Sequence, residues 1–360
     1  MQINGAKNFK VCPPGKIGPY VIREEIGTGR TSAVYKAVNM STNEAVAIKI
    51  LPKQQFQFQS ELSRFQNEVS SIFKCQHPNI VSFINLFHDS LNLYLVMELA
   101  DTDLQQIISR CGKMPLDQAQ ATFRQIAEAI CYIHSMGIAH RDIKLENILV
   151  NSAERRVLLS DFGYSISPRD FDQLSTTKLG TLVYLPPEIV DNKPYNPFKA
   201  DIWSCGILLY ALLTAKFPWP TRNEEEIIQK IRIRKIEFPD NLSPGIINLI
   251  NSMTDIIPDK RPSFQEILQH PWIRDISVDK NLFTNKYHPN STFKVISQVF
   301  KDCMNQRVIV PRTNKSNFHS VIVNQTDSFR DLLNVLQKSN RKKRLRSRTE
   351  TSIKPVASFG

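Results

Sequence analysis

Between Gly137 and Val150 the chain reads GIAHRDIKLENILV. His140, Arg141, Asp142, Lys144, Glu146 and Asn147 crowd both signs of charge into a stretch with apolar flanks. A charge drawn toward burial needs an opposite partner, because leaving it uncompensated costs on the order of 3–5 kcal/mol. Similar groups recur elsewhere. LLSDFGYS supplies Asp161, Phe162 and Gly163, and VAIKIL supplies Lys49. IGTGRTSAV places Gly27 and Gly29 between two strand-like runs, where the missing Cβ lets backbone N–H groups come close to a phosphate. Taken alone, a GxG of this kind marks an ordinary turn more often than a phosphate loop.

The elements that must position these groups follow from periodicity. Val46–Leu51 is β-rich, and on a strand Ala47 and Lys49 face one side while Val46, Ile48 and Ile50 face the other. Leu62, Phe65, Val69, Ile72 and Phe73 recur at helical spacing over Glu61–Cys75. Glu68 falls near that apolar face and therefore needs a cation. Asn92–Leu99 reads as another strand. A long helix carries Leu116, Ala119, Phe123, Ile126, Ile130 and Ile133, with Asp117 as its expected cap and Gln120 three residues on. Ala200–Ala215 is apolar nearly all round and predicts a buried helix, and its most apolar part, Trp203–Ala215, is too short to span a membrane.

Strands first and helices later imply an α+β chain, with a small β-rich lobe and a larger helical one. Residues 1–19 hold three prolines and three glycines and read as a leader. The six cysteines are scattered with no CxxC pair, which suits a reducing compartment without a disulfide framework or a zinc site. No signal region opens the chain. Net charge is +12, but residues 1–275 carry 30 basic and 29 acidic side chains while residues 276–360 carry 16 and 5. The basicity belongs to the tail, and the near-neutral body argues against a nucleic-acid-binding core.

Lys49, Glu68, HRDIKLEN, DFG, GTLVYLPPE (Gly180–Glu188), Asp201 and Arg261 occur in order over about Tyr20 to Trp272. This series resembles the eukaryotic protein kinase family, and the joint occurrence carries the likeness. The resemblance implies a two-lobed kinase-like fold over 20–272, with an N-lobe at about 20–97 and a C-lobe at about 101–272. ATP and Mg2+ are the implied cofactors. Asp142 would orient the substrate hydroxyl and accept its proton, Lys144 would offset charge on the γ-phosphate, and Asn147 and Asp161 would hold Mg2+. Lys49, paired with Glu68, would contact the α- and β-phosphates. Ile26, Gly27 and Gly29 would form the phosphate-side loop, where Ser32 replaces the usual third glycine. Val34, Ala47 and Leu149 would enclose adenine, Met97 would back the pocket, and Glu98 and Ala100 would offer backbone hydrogen bonds. Ile72, Phe83, His140 and Phe162 would stack into a spine, and Glu188 would pair with Arg261 as a buried structural pair. The rival reading is a kinase-like scaffold without activity, or an interaction module acting through the basic tail.

The lysine two residues after Asp142, with Thr181 bridging the two, resembles the serine/threonine type. The relatives implied are the calcium/calmodulin-dependent group, near the AMP-activated and testis-specific kinases. In such relatives, acids at the positions of Asp103 and Glu146 read basic residues before the target hydroxyl. Thr177 stands where an activating phosphate would pair with Arg141, with Thr176 and Ser175 as the other candidates. Protein substrates and an upstream activating kinase are the implied partners. In the tail, Ser328–Arg348 starts as a short amphipathic stretch and ends in a basic run. It reads as an import or acidic-partner patch, an autoregulatory helix, or a solvated and partly disordered tail. The expected location is cytoplasmic, or nuclear if the basic run serves import.

Overall fold

The computed structural model describes residues 13–28, 32–55, 59–168, 171–219 and 223–276. Gly29 and the whole of Ser328–Arg348 lie outside them, as do the expectations attached to those positions. Six antiparallel strands form the first lobe: β1 (Lys16–Ile17), β2 (Tyr20–Thr28), β3 (Ala33–Asn39), β4 (Ala45–Pro52), β5 (Phe83–His88) and β6 (Asn92–Glu98), in spatial order β1-β2-β3-β4-β6-β5. The sheet thus begins inside the stretch read as a leader. Ile17 is buried and Lys16 pairs with Val21. A two-residue strand has no periodicity to read, and its Pro/Gly neighbours carry only turn signals.

Alternation along β4 divides the core. Val46, Ile48 and Ile50 join Tyr35, Tyr94 and Val96 on the outer face of the sheet. Leu51 lies on the opposite face with Leu93 and Leu95. Helix α1 (Gln59–Lys74) crosses that inner face and buries Phe65, Val69 and Ile72 against it. The same cluster runs on without a break into the second lobe.

The second lobe contains a small sheet of β7 (Thr102–Asp103), β8 (Ile148–Asn151) and β9 (Arg156–Leu159), set among α2 (Leu104–Cys111), α3 (Leu116–Ser135), α4 (Pro187–Val190), α5 (Pro197–Thr214), α6 (Glu224–Arg232), α7 (Pro244–Met253) and α8 (Phe264–Leu268). Of the 18 residues of α5, 15 are buried, so the helix forms the axis of the lobe as its all-round apolarity requires. Asn196 caps it by accepting from the Phe198 and Lys199 N–H groups.

The expected cap of α3 is different. The helix starts two residues earlier, at Leu116 with Pro115 in the N-cap position, and has no side-chain cap. Asp117 lies in its first turn, where a carboxylate still complements the helix dipole. Gln120 reaches instead to the Trp272 carbonyl, fastening the C-terminal end of the lobe to α3.

Candidate active site

The strand alternation that buries Val46, Ile48 and Ile50 aims Lys49 at α1. Its Nζ lies 2.5 Å from Glu68 Oε1 and 3.1 Å from Asp161 Oδ1. Glu68 is buried on the apolar face of α1, so the cation its position demands is Lys49. Burial pulls the Lys49 ammonium down, but the Asp161 and Glu68 carboxylates outweigh it and hold the lysine above its ordinary value. Lys49 in turn holds the Asp161 carboxyl below the usual range. A lysine so placed stays fully charged across the physiological pH range, as a contact for an anion must.

Asp161 sits in left-handed backbone (φ 58°) at the edge of the turn Phe162–Tyr164. A Cβ on Gly163 would lie 3.3 Å from Asp161 Oδ1 and 3.6 Å from Glu68 Oε2, so the turn runs directly beside the ion pair. Ser165 Oγ donates to Ser71 Oγ at 2.9 Å and ties that turn to α1. Ile72, Phe83, His140 and Phe162 are all buried, and the His140 and Phe162 rings meet edge-on at 5.0 Å.

The segment from His140 to Asn147 converges on the same region. Asp142 Oδ2 accepts from Lys144 Nζ at 2.8 Å and from Asn147 Nδ2 at 3.1 Å. Asn147 Nδ2 also donates to the Asp142 carbonyl at 2.8 Å. The Thr181 hydroxyl lies 3.5 Å from Asp142 Oδ1 and accepts from Lys144 at 3.3 Å, so it does bridge the two. Burial lowers the Lys144 pKa, but the hydrogen bond and charge of Asp142 more than offset this and raise it. Because Asn147 directs its NH2 to Asp142, its Oδ1 is left as an oxygen donor. Together with the Asp161 carboxylate, it makes a donor set suited to a hard cation such as Mg2+.

One residue that holds this segment was not singled out from sequence for that task. Asp201, 1% exposed on α5, accepts the His140 and Arg141 N–H groups at 2.8 Å each, and His134 Nε2 lies 2.9 Å from it. These bonds brace Arg141, whose φ of 65° is costly for a side chain of its size. The available signal was a lone carboxylate in a helix apolar on every side. Glu188 and Arg261 form the expected buried pair, with contacts of 2.7 and 2.9 Å.

Strands β2, β3, β4 and β6 carry Gly27, Val34, Ala47 and Met97 across the sheet, with Gly27 opposite Val34 and Ala47 opposite Met97. Ile26 is exposed on β2, Ala100 is half-buried, and Leu149 sits on β8 opposite Asp103. Glu98 donates its N–H to Ser82 O at 3.0 Å, while its buried carboxylate pairs with Arg156. That pair escaped sequence reading because its partners lie 58 residues apart.

Arg141 Nε donates to Tyr164 O at 2.7 Å and Nη1 to Ser175 Oγ at 3.4 Å. Thr177 is exposed, and its carbonyl accepts from Tyr195 OH at 2.9 Å. The hydroxyl facing Arg141 is therefore that of Ser175. At Gly180 (φ 109°) a Cβ would come within 2.8 Å of Leu185 and 3.2 Å of the Arg141 carbonyl, so only glycine lets this segment pass so close. Asp103 caps α2, accepting from the Gln106 N–H at 2.8 Å, and Glu146 is exposed.

The protein-kinase-domain family model matches residues 20–273. The chain is similar to CBL-interacting protein kinase 31 of Oryza sativa subsp. japonica, at 30% identity over 95% of this chain and 77% of that protein. It is 33% identical to CBL-interacting serine/threonine-protein kinase 15 of Arabidopsis thaliana, covering 71% of this chain and 61% of that one. Maternal embryonic leucine zipper kinase of Xenopus tropicalis is 34% identical, over 71% of this chain and 39% of that protein. The chain thus spans only part of these relatives, and least of the last.

Proposed function

The chain belongs to the protein kinase family, serine/threonine type, and from that membership we propose that it phosphorylates serine and threonine hydroxyls of protein substrates carrying nearby basic residues. The observation that carries the reading is the convergence of Lys49 on Asp161, and of Lys144 and Asn147 on Asp142, with Lys144 and Asp161 close enough to act on each other's charge. Protein kinases use ATP with Mg2+, and the metal supplies charge neutralisation across the phosphates.

This chain's residues do the positioning. Lys49, kept charged and aimed by Glu68, holds the α- and β-phosphates. Asp161 and Asn147 Oδ1 present the oxygens that hold the cation. Asp142 accepts a hydrogen bond from the incoming hydroxyl and takes its proton as that oxygen attacks the γ-phosphorus and ADP leaves. Lys144 sits where negative charge builds on the transferred group, and Thr181 keeps Asp142 and Lys144 in register. Much of the rate gain in such a site comes from holding reactants in line, an effect worth on the order of 7–11 kcal/mol in well-oriented systems.

Exposed Glu146, and Asp103 at the start of α2, offer carboxylates to arginine or lysine N-terminal to the target hydroxyl. An ATP·Mg2+ assay on an oriented peptide library tests this and the residue type together. Enrichment of Arg or Lys before Ser/Thr is expected. A library phosphorylated only on tyrosine, or with no basic preference, would reject the corresponding part.

Activity rises on phosphorylation of Thr177, whose new charge draws Arg141 from the Ser175 hydroxyl and orders the segment. Thr177→Ala is expected to lower kcat about tenfold in enzyme isolated in its phosphorylated form, equivalent to roughly one charge-assisted hydrogen bond. Ser175→Ala should leave kcat near the parent value. The reverse pattern would move the assignment to Ser175, which the geometry already brings to Arg141.

A further inference from the structure

We propose that a lysine-rimmed groove at the far end of α5 docks an acidic peptide segment of a partner protein, anchored by an aromatic side chain. The cavity measures about 430 Å³, in the range of small-molecule and side-chain-binding pockets. Its floor is Tyr210 and Leu213 from α5, Phe217 from the segment that follows α5, and Phe238 from the segment after α6. The floor is preformed. Tyr210 is 7% exposed, its hydroxyl donates to Glu237 O at 2.9 Å, and its ring meets Phe238 edge-on at 5.9 Å.

The rim carries Lys113, Lys216, Lys230 and Lys235 against a single lining carboxylate, Glu237. Lys230 is held by Glu226 at 2.6 Å, and Lys235 reaches Glu237 at 3.5 Å with both side chains exposed. Among the described residues no carboxylate lies within ion-pair distance of Lys113 or Lys216, both exposed. Residues 1–275 balance 30 basic against 29 acidic side chains, and with Glu226 and Glu237 answering two of the four lysines, Lys113 and Lys216 leave a local excess of positive charge at this cavity.

Charge complementarity selects an anionic occupant, and the aromatic floor selects one with an apolar anchor. The chain's own segment 276–360, with 16 basic and 5 acidic residues, has the wrong sign. A nucleic acid fits less well, because a concave aromatic floor is wasted on a phosphate backbone. From Asp201 to Thr214 is 13 residues of α5, about 20 Å, so a docked segment leaves the catalytic cleft open. The groove would therefore add affinity for a whole protein without touching the chemistry, and it does not depend on the proposed peptide preference.

The test is fluorescence anisotropy on the full-length protein with a labelled peptide of alternating Glu and Phe. Saturable, salt-sensitive binding is expected, weakened at least tenfold in Lys113→Glu/Lys216→Glu. An all-Glu peptide should bind more weakly and a Lys/Phe peptide not at all. The double variant should keep the parent melting temperature and its rate on a short peptide substrate. Equal binding by parent and variant, or by the Glu/Phe and Lys/Phe peptides, would overturn the proposal. So would a uridine oligonucleotide that binds the parent more tightly than the peptide and loses affinity in the variant.

Discussion

Asp142→Asn is expected to lower kcat for peptide phosphorylation by about 10²–10⁴-fold, the range of a lost general base, while the fold and ATP binding persist. The geometry gives the reason. The two oxygens of Asp142 have different surroundings: Oδ2 accepts from Lys144 and Asn147, whereas among the described residues Oδ1 has its hydrogen-bond contact with Thr181, at 3.5 Å. An amide of the same shape keeps its oxygen toward Lys144 and Asn147. Its NH2 then occupies the position from which the carboxylate would take the hydroxyl proton. The architecture stays satisfied and the proton acceptor is gone. The measurement is kcat on a Ser/Thr peptide beside a thermal melt and nucleotide titration. A variant that melts like the parent and turns over within about threefold of it would remove Asp142 from the reaction.

The second large effect concerns stability. Arg261, 1% exposed, is held by Glu188 through two contacts, donates to the Lys199 carbonyl at 3.0 Å and the Asp255 carbonyl at 2.8 Å, and lies over the Trp203 ring at 5.1 Å. Arg261→Met leaves the buried Glu188 carboxylate without its cation, a loss of about 3–5 kcal/mol. For a domain of this size that lowers the melting temperature by roughly 6–20 °C. Removing the carboxylate as well, in Arg261→Met/Glu188→Leu, should recover part of the loss, because two apolar residues leave no stranded charge. The recovery is partial, since two carbonyls and the ring contact stay without the guanidinium. A single variant that loses under about 1 kcal/mol, or a double variant no better than the single, would show the pair to be energetically idle.

Asp142 and Glu68 illustrate what could be read in advance. Asp142 lay in a segment where charge was packed between apolar flanks, and Glu68 on an apolar helix face had to find a cation. Period-two and period-3.6 patterns also oriented Lys49 and marked α5 as buried, because such patterns record burial directly. Signals failed where the deciding partner was remote. The cap expected at Asp117 gave way to Pro115 at the N-cap position and a helix start at Leu116, while Gln120 was drawn off to Trp272, 152 residues away. Strand β1 was too short to carry a pattern.

By itself the sequence determined the family, the two-lobed α+β layout and the order of the charged groups along the chain. Those follow from residue types at fixed spacings and from local periodicity. Only the tertiary structure decided which charges meet: Asp201 bracing Arg141 from the second turn of α5, Arg156 on Glu98, Ser175 rather than Thr177 at the Arg141 guanidinium, and four lysines around one aromatic floor. The first three join segments 34 to 60 residues apart, and the lysine groove gathers Lys113 to residues about a hundred positions on. Their distances are set by how helices and strands pack, and no local pattern encodes that.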